Sequence, residues 1–286
     1  MSAALAAVPG EGPHASASRF VEAGGLRWHV QVMGQGPAAL LLHGTGASTH
    51  SWRGVMPLLA RRFTVVAPDL PGMGRTQMPP RAGLSLRGMT DGLAALLGAL
   101  GLAPELVVGH SAGAALGARL CLDGAVTPRL LVAVNGALLP LNGWAGQVFA
   151  PMARAMVALP GIPRLFAWRA ADQAAVRSLL AGTGSHLDAE GVELYARLFR
   201  QPQHVEATLG MMAQWDLPGL RAALPHLTTP LLLLVGKQDR TIRPTEARRL
   251  QAILPGARVV ALPGLGHLAH EEAPELVTEA ILEALP

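Results

Sequence analysis

Apolar residues along this 286-residue chain fall in short runs whose character changes from one end to the other. The first two, SRFVEAGG and LRWHVQVMG, alternate apolar and polar positions around Glu22-Ala23-Gly24-Gly25, which predicts an antiparallel hairpin. The next six, AALLLHG, FTVVAPD, ELVVGHS, RLLVAVNG, PLLLLVGKQD and ARVVALPG, are apolar almost throughout, as parallel strands covered on both faces must be. Helical stretches such as Leu86 to Leu100 and Ala112 to Leu122 separate them. This alternation predicts an α/β fold built on a mostly parallel, doubly wound sheet of eight strands with right-handed crossovers.

Between Asn135 and Leu231 the alternation stops. Residues 138–225 hold helix-like pieces punctuated by prolines and no strand pattern, which predicts a helical lid inserted at the carboxyl edge of the sheet, where open α/β sheets bind ligands. The domain organisation expected is a flexible tail over residues 1–18, a core from 19–137 and 226–286, and the lid over 138–225. Trp52, Trp144, Met152, Met156, Met211 and Met212 are candidates for an apolar substrate lining, because methionine and aromatic side chains adapt to irregular surfaces. Ordinary core packing is the competing reading of each.

Composition narrows the partners. The pI near 10.4 suggests nucleic acid, yet only Lys237 among the 23 basic residues is lysine, the net charge is +4, and the arginines are scattered. No nucleic-acid groove is expected. The single cysteine, Cys121, rules out an internal disulfide and fits a reducing cytoplasm. No Cys/His cluster suggests zinc, so no metal or cofactor is expected. Residues 130–153 carry no charge, but Asn135, Pro140, Asn142, Gly143, Gly146, Gln147 and Pro151 interrupt them. No transmembrane segment is expected there, which leaves shallow contact with a membrane surface open.

The chemistry centres on Gly109-His110-Ser111-Ala112-Gly113, where an apolar strand turns at once into a helix. Small residues are needed wherever backbone packs that closely. A G-x-S-x-G turn also holds its serine exposed on a strained backbone with the following N–H free. With 33 glycines in the chain such a motif can arise by chance, so context decides. Asp239 follows the strand PLLLLVG, and His267 follows ARVVALPG within Gly264-Leu265-Gly266-His267. Nucleophile, acid and base would then occur in the order Ser111, Asp239, His267 at strand ends. His270 is a rival base, expected at the start of the final helix, and Asn135 ends a strand where an acid could stand but carries only an amide. Two backbone donors are needed for an oxyanion; Ala112 and Thr45, in His43-Gly44-Thr45-Gly46, are the candidates. The turn Asp69-Leu70-Pro71-Gly72-Met73-Gly74-Arg75-Thr76 reads as structural.

Taken in order, HGTG, DLPGMGRT, GHSAG, GKQD and GLGH resemble the α/β-hydrolase superfamily over nearly the whole chain after residue 18. The resemblance places that superfamily's nucleophile, acid and base on Ser111, Asp239 and His267. Met73 and Thr76 stand where many members have histidine and serine, which leaves the catalytic set untouched. The less universal stretches GHSAGAALGARLCLDG, VNGALLPLNGWAGQVFAPMARAM and LFAWRAADQAAVRSLLAGTGS resemble the magnesium-chelatase accessory proteins of bacteriochlorophyll biosynthesis, a subgroup of the same fold. That resemblance implies a place in tetrapyrrole metabolism near magnesium insertion into protoporphyrin IX, and contact with magnesium chelatase, without supplying a reaction. Three readings stand at this point. One is a serine hydrolase acting on an apolar small-molecule ester or a tetrapyrrole ester. Another is a non-catalytic porphyrin-binding factor, with Arg154, Arg164 or Arg169 pairing propionates. The third is a generic carboxylesterase.

Overall fold

The eight apolar runs all become strands of one sheet. In this computed structural model, which describes residues 6–7, 12–140, 161–169 and 172–286, they are β2 (Ser18–Ala23), β3 (Leu26–Met33), β4 (Ala38–Leu42), β5 (Thr64–Pro68), β6 (Leu106–His110), β7 (Leu130–Val134), β8 (Leu231–Gly236) and β9 (Arg258–Leu262). A further two-residue strand, β1 (Ala6–Ala7), pairs antiparallel with β2, so the sheet has nine strands in the order β1-β2-β3-β5-β4-β6-β7-β8-β9. The expected hairpin is present, with Ala23 opposite Leu26 and antiparallel pairing back to Ser18 opposite Gln31. From β5 to β9 every neighbouring pair is parallel. The chain leaves β4 toward β5 on one side and returns to β6 on the other, so the strand order reverses at β4. The carboxyl ends of β4 and β6 therefore flank a topological switch point, the place where such sheets leave a crevice.

The helices described are α1 (Val55–Leu59), α2 (Leu86–Leu100), α3 (Ala112–Leu122), α4 (Ile162–Arg169), α5 (Gln173–Gly182), α6 (Ala189–Phe199), α7 (Pro202–Ala213), α8 (Leu217–Ala223), α9 (Thr245–Ile253), α10 (Ala269–Glu272) and α11 (Pro274–Ala284). Strands β4 to β8 had to be apolar on both faces because a separate core lies on each side of the sheet; β9, expected to be covered likewise, is the edge strand and is largely exposed. One joins Leu40, Leu42 and Val107 to Leu93 of α2 and Leu116 of α3. The other joins Leu41, Val108 and Val132 to Met56 of α1 and Ile281 of α11. Helices α4 to α8 all fall between β7 and β8, and the described residues of that stretch contain no strand.

Two expectations are adjusted. Residues 12–18, inside the stretch expected as a tail, are held in place: they include a 3-10 turn at Ala15–Ala17, and Gln31 Nε2 donates to the Pro13 carbonyl at 2.8 Å. The final helix begins at Pro274, because that proline suits a first helical turn and cuts off the short α10 before it. The Asp69 turn is tightly tied: its buried carboxylate accepts from the backbone of Thr49 and Arg75 and pairs with His29 Nδ1 at 2.8 Å.

Candidate active site

Ser111 caps α3 with φ 50° and ψ −116°, a conformation that costs a residue bearing a Cβ about 1–3 kcal/mol. The strain is held by three backbone bonds. Its N–H donates to the Val134 carbonyl, and its carbonyl accepts from Ala114 and from Ala137 at 2.9 Å. The flanking glycines have a steric explanation: a Cβ on Gly113 would lie 2.1 Å from the Leu42 carbonyl oxygen, and one on Gly109 would lie 2.4 Å from the Ala114 nitrogen. The turn closes only because both lack side chains.

Asp239 and His267 arrive from the ends of β8 and β9. His267 Nδ1 is 2.8 Å from Asp239 Oδ2, and both residues are buried. Asp239 Oδ1 accepts from the backbone of Thr241 and Ile242, which aims the other oxygen at the imidazole. With Nδ1 committed to the carboxylate, Nε2 is the ring nitrogen left to exchange a proton. Among the described residues the Ser111 hydroxyl donates no hydrogen bond.

Two neighbours not anticipated as site residues tie these loops together. Asn135 Nδ2 donates to the carbonyls of Gly266 and His267, and its Oδ1 accepts from the Gly236 N–H at 2.7 Å. His110, which stands before Ser111, places Nε2 2.9 Å from the same His267 carbonyl. A strand-terminal amide and a histidine inside the elbow were the only hints, since both partners are backbone groups more than 100 residues away.

The candidate oxyanion loop lies against the elbow. A Cβ on Gly44 would come 3.1 Å from Ser111 Cβ, so the backbone entering Thr45 passes beside the serine. Ala112 N opens α3, next to it. Thr45 is exposed, and its hydroxyl donates to Met211 Sδ on α7 at 3.9 Å. The inserted helices therefore reach this loop, and His204 of α7 also contacts the Gly46 carbonyl through Nε2 at 3.1 Å. Met212 is half-buried and, one position on, faces about 100° away from Met211 around the helix. Trp144, Met152, Met156 and Arg154 lie outside the described residues. Arg164 is exposed, and exposed Arg169 pairs with Asp172 at 2.7 Å.

Trp52 corrects an expectation. The 3-10 turn Thr49–Trp52 points its indole into the core beneath the sheet with Leu41, Val55 and Met56, where it is fully buried. His270 is equally buried. Its ring lies 4.6 Å from Trp52 and 4.4 Å from His110, and burial holds its pKa well below the ordinary imidazole value, with His267 adding to the effect. Both ring nitrogens of His270 are buried without a hydrogen-bond partner among the described residues.

The inserted stretch also grips both loops from above. Leu268 N–H donates to Ser185 Oγ, Arg240 N–H donates to the Thr183 carbonyl, and the Glu272 carboxylate accepts from the backbone of His186 and Gly266. Beside them the buried Glu271 carboxylate accepts from Tyr195 of α6 at 2.7 Å and from Arg53. Desolvation, outweighing the pull of Arg53, lifts the Glu271 pKa to about 7.

Strand-turn-helix serine, acid–imidazole pair and glycine-rich loop thus converge at the carboxyl edge of one sheet. Residues 39–280 match the alpha/beta hydrolase family. The chain belongs to that family. The resemblance drawn from the elbow and the inserted stretch also stands: the chain is 40% identical over 281 residues to the magnesium-chelatase 30 kDa subunit of Rhodobacter capsulatus, covering 98% of each. It is 27% identical to the 2-(acetamidomethylene)succinate hydrolase of Mesorhizobium japonicum, over 92% of this chain and 93% of that one. Among solved structures, an alpha/beta hydrolase fold protein from Burkholderia ambifaria superposes with a TM-score of 0.77 at 26% identity, covering 92% of this chain and 96% of that one.

Proposed function

We propose that this member of the alpha/beta hydrolase family is a serine hydrolase of tetrapyrrole metabolism that cleaves an ester-type bond in an apolar substrate. The observation that carries the reading is the pairing of Asp239 with His267 at 2.8 Å beside the strained Ser111 turn. In this reading Ser111 Oγ attacks the carbonyl carbon as His267 Nε2 takes its proton, and Asp239 orients the ring and balances the imidazolium. The N–H groups of Thr45 and Ala112 hold the oxyanion, and His267 then returns the proton to the departing oxygen. Water, activated by the same imidazole, releases the acyl group. Dehalogenase or epoxide-hydrolase chemistry on this fold would want aspartate in place of Ser111. Residues 138–225 serve as the lid, with Met211 against Thr45 forming part of its lining.

The setting follows from the Rhodobacter relative, whose name ties it to magnesium chelatase. We place the protein in the cytoplasm, in contact with that complex. Exposed Leu165 and Trp168, with Arg164 and Arg169 on the same helix, suit transient contact with an anionic membrane surface. Sedimentation with anionic liposomes should retain the wild type and lose Trp168→Glu.

A second reading, a porphyrin-binding factor without turnover, draws support from the relative's name. Intact-protein mass after exposure to a fluorophosphonate probe separates the two, with and without protoporphyrin IX and with Ser111→Ala as control. Labelling lost in the variant and slowed by porphyrin supports the hydrolase. A wild type that stays unlabelled while porphyrin absorbance shows saturable binding refutes it in favour of the second reading.

A further inference from the structure

We infer that His110 is a positioning residue for His267, acting through its Nε2–H on the His267 carbonyl. This rests on the serine-hydrolase reading above and adds a residue to it.

The loop that carries His267 begins Gly264-Leu265-Gly266, and two glycines in three residues give it little conformation of its own. Among the described residues the imidazole is tethered at one ring nitrogen only, to Asp239. One hydrogen bond to a side chain leaves the ring free to swing about its own backbone, so the backbone must be fixed separately. The His267 carbonyl meets that need, with two donors at 2.9 Å: Asn135 Nδ2 from the end of β7 and His110 Nε2 from the end of β6.

A carbonyl oxygen only accepts, so the His110 proton sits on Nε2 and Nδ1 is bare. Nδ1 is buried with no hydrogen-bond partner among the described residues. An orphaned ring nitrogen in a packed core is a standing cost that an apolar side chain would avoid. The compensating gain visible here is the bond to His267. The space for the ring is also specific: a Cβ on Gly44 would lie 2.7 Å from Nδ1, and the ring packs 4.8 Å from the imidazole of His267 and 4.4 Å from that of His270.

Connectivity makes the bond more than a local brace. His110 precedes Ser111, whose backbone is pinned by Val134, Ala114 and Ala137. The path from serine to imidazole therefore runs through one peptide bond, one side chain and one hydrogen bond, and its length sets how close the two reacting groups stand. Burial keeps His110 neutral, reinforced by His270 and His267, so no positive charge opposes the proton that His267 receives.

The test compares His110→Phe, which keeps a ring and loses the donor, with His110→Gln, whose amide nitrogen can reach the same carbonyl. Leu120→Ala, a fully buried core change on α3, controls for lost stability. Hydrolysis of p-nitrophenyl butyrate and fluorophosphonate labelling are measured for each, alongside Tm. His110→Phe should lower kcat about 30-fold with KM within about twofold, since displacing a reacting group by an ångström costs up to about a hundredfold. His110→Gln should recover at least about tenfold of that loss, and Leu120→Ala should lower Tm with kcat unchanged. The inference is overturned if His110→Phe turns over within about threefold of wild type, if glutamine rescues nothing, or if Leu120→Ala loses as much kcat as phenylalanine. A wild type that neither hydrolyses nor labels removes the hydrolase reading and this inference together. An active wild type with an indifferent His110→Phe removes this inference alone.

Discussion

Glu271 ties the stability of the fold to pH, and the direction follows from its surroundings. The carboxyl has no solvent exposure, and it faces Arg53, the Tyr195 hydroxyl and, farther off, Asp188. Desolvation is the largest influence and raises the pKa from 4.5 to about 7 in spite of Arg53. The native state therefore holds this proton more tightly than the unfolded chain does. Below pH 4.5 both states are protonated and the group is neutral in its effect. Between 4.5 and 7 the unfolded chain ionises first, and native stability falls as pH rises. At about 1.4 kcal/mol for each pH unit, the full loss is about 3 kcal/mol, or roughly 6 °C in Tm for a chain of this size. Glu271→Gln removes the titration while keeping an acceptor for Tyr195 and Arg53. Urea unfolding of both proteins from pH 4.5 to 8 isolates it, because the other titrating groups cancel in the difference. Wild type should lose ground to the variant by about 3 kcal/mol across the window, with most of the loss complete by pH 7. A flat difference would refute the reasoning. A difference of opposite sign would show that attraction to Arg53 outweighs desolvation.

Ser111→Gly should abolish fluorophosphonate labelling yet raise stability by about 1 kcal/mol over Ser111→Ala, because glycine adopts φ 50° without strain; equal Tm values would contradict the strained turn. Asp239→Asn should keep the fold by circular dichroism and lower kcat about a thousandfold, as an amide can neither hold the imidazole tautomer nor balance its charge; a loss under tenfold would remove Asp239 from the acid role. Trp52→Ala should cost about 3–5 kcal/mol in urea unfolding with KM for p-nitrophenyl butyrate unchanged, and a KM effect without destabilisation would return the residue to the substrate site.

What could be read in advance was whatever depends on local pattern. Doubly covered strands such as LLVAV and LLLLV are apolar throughout because a core lies on each face, and that marks them in any window of five residues. The Ser111 turn was legible because its steric demands fall on adjacent positions, Gly109 and Gly113. What escaped notice depends on partners that a window cannot contain. His110 and Asn135 act on the carbonyl of a residue 157 and 132 positions away, and a backbone carbonyl has no residue type to recognise. Trp52 was misplaced for a related reason: an indole before a helix looks the same whether its 3-10 turn rolls it toward a cleft or under the sheet. Residues 12–18 looked like a tail because Ala, Gly, Pro and Ser carry no pattern, although Gln31 holds them from within β3.

The glycines beneath the inserted stretch limit how freely that stretch can be exchanged. A Cβ on Gly184 would lie 2.0 Å from the Gln238 carbonyl, one on Gly266 would lie 2.2 Å from the Gly184 carbonyl, and one on Gly236 would lie 2.4 Å from the Gly266 carbonyl. Three backbones, one from the insertion and one from each loop that carries Asp239 and His267, touch without a side chain between them. Helices grafted from a relative between β7 and β8 would have to bring this joint along. A graft that ends before Thr183 leaves the acid and the imidazole on their native footing, whereas one that replaces 183–186 rebuilds the floor of the site together with its roof.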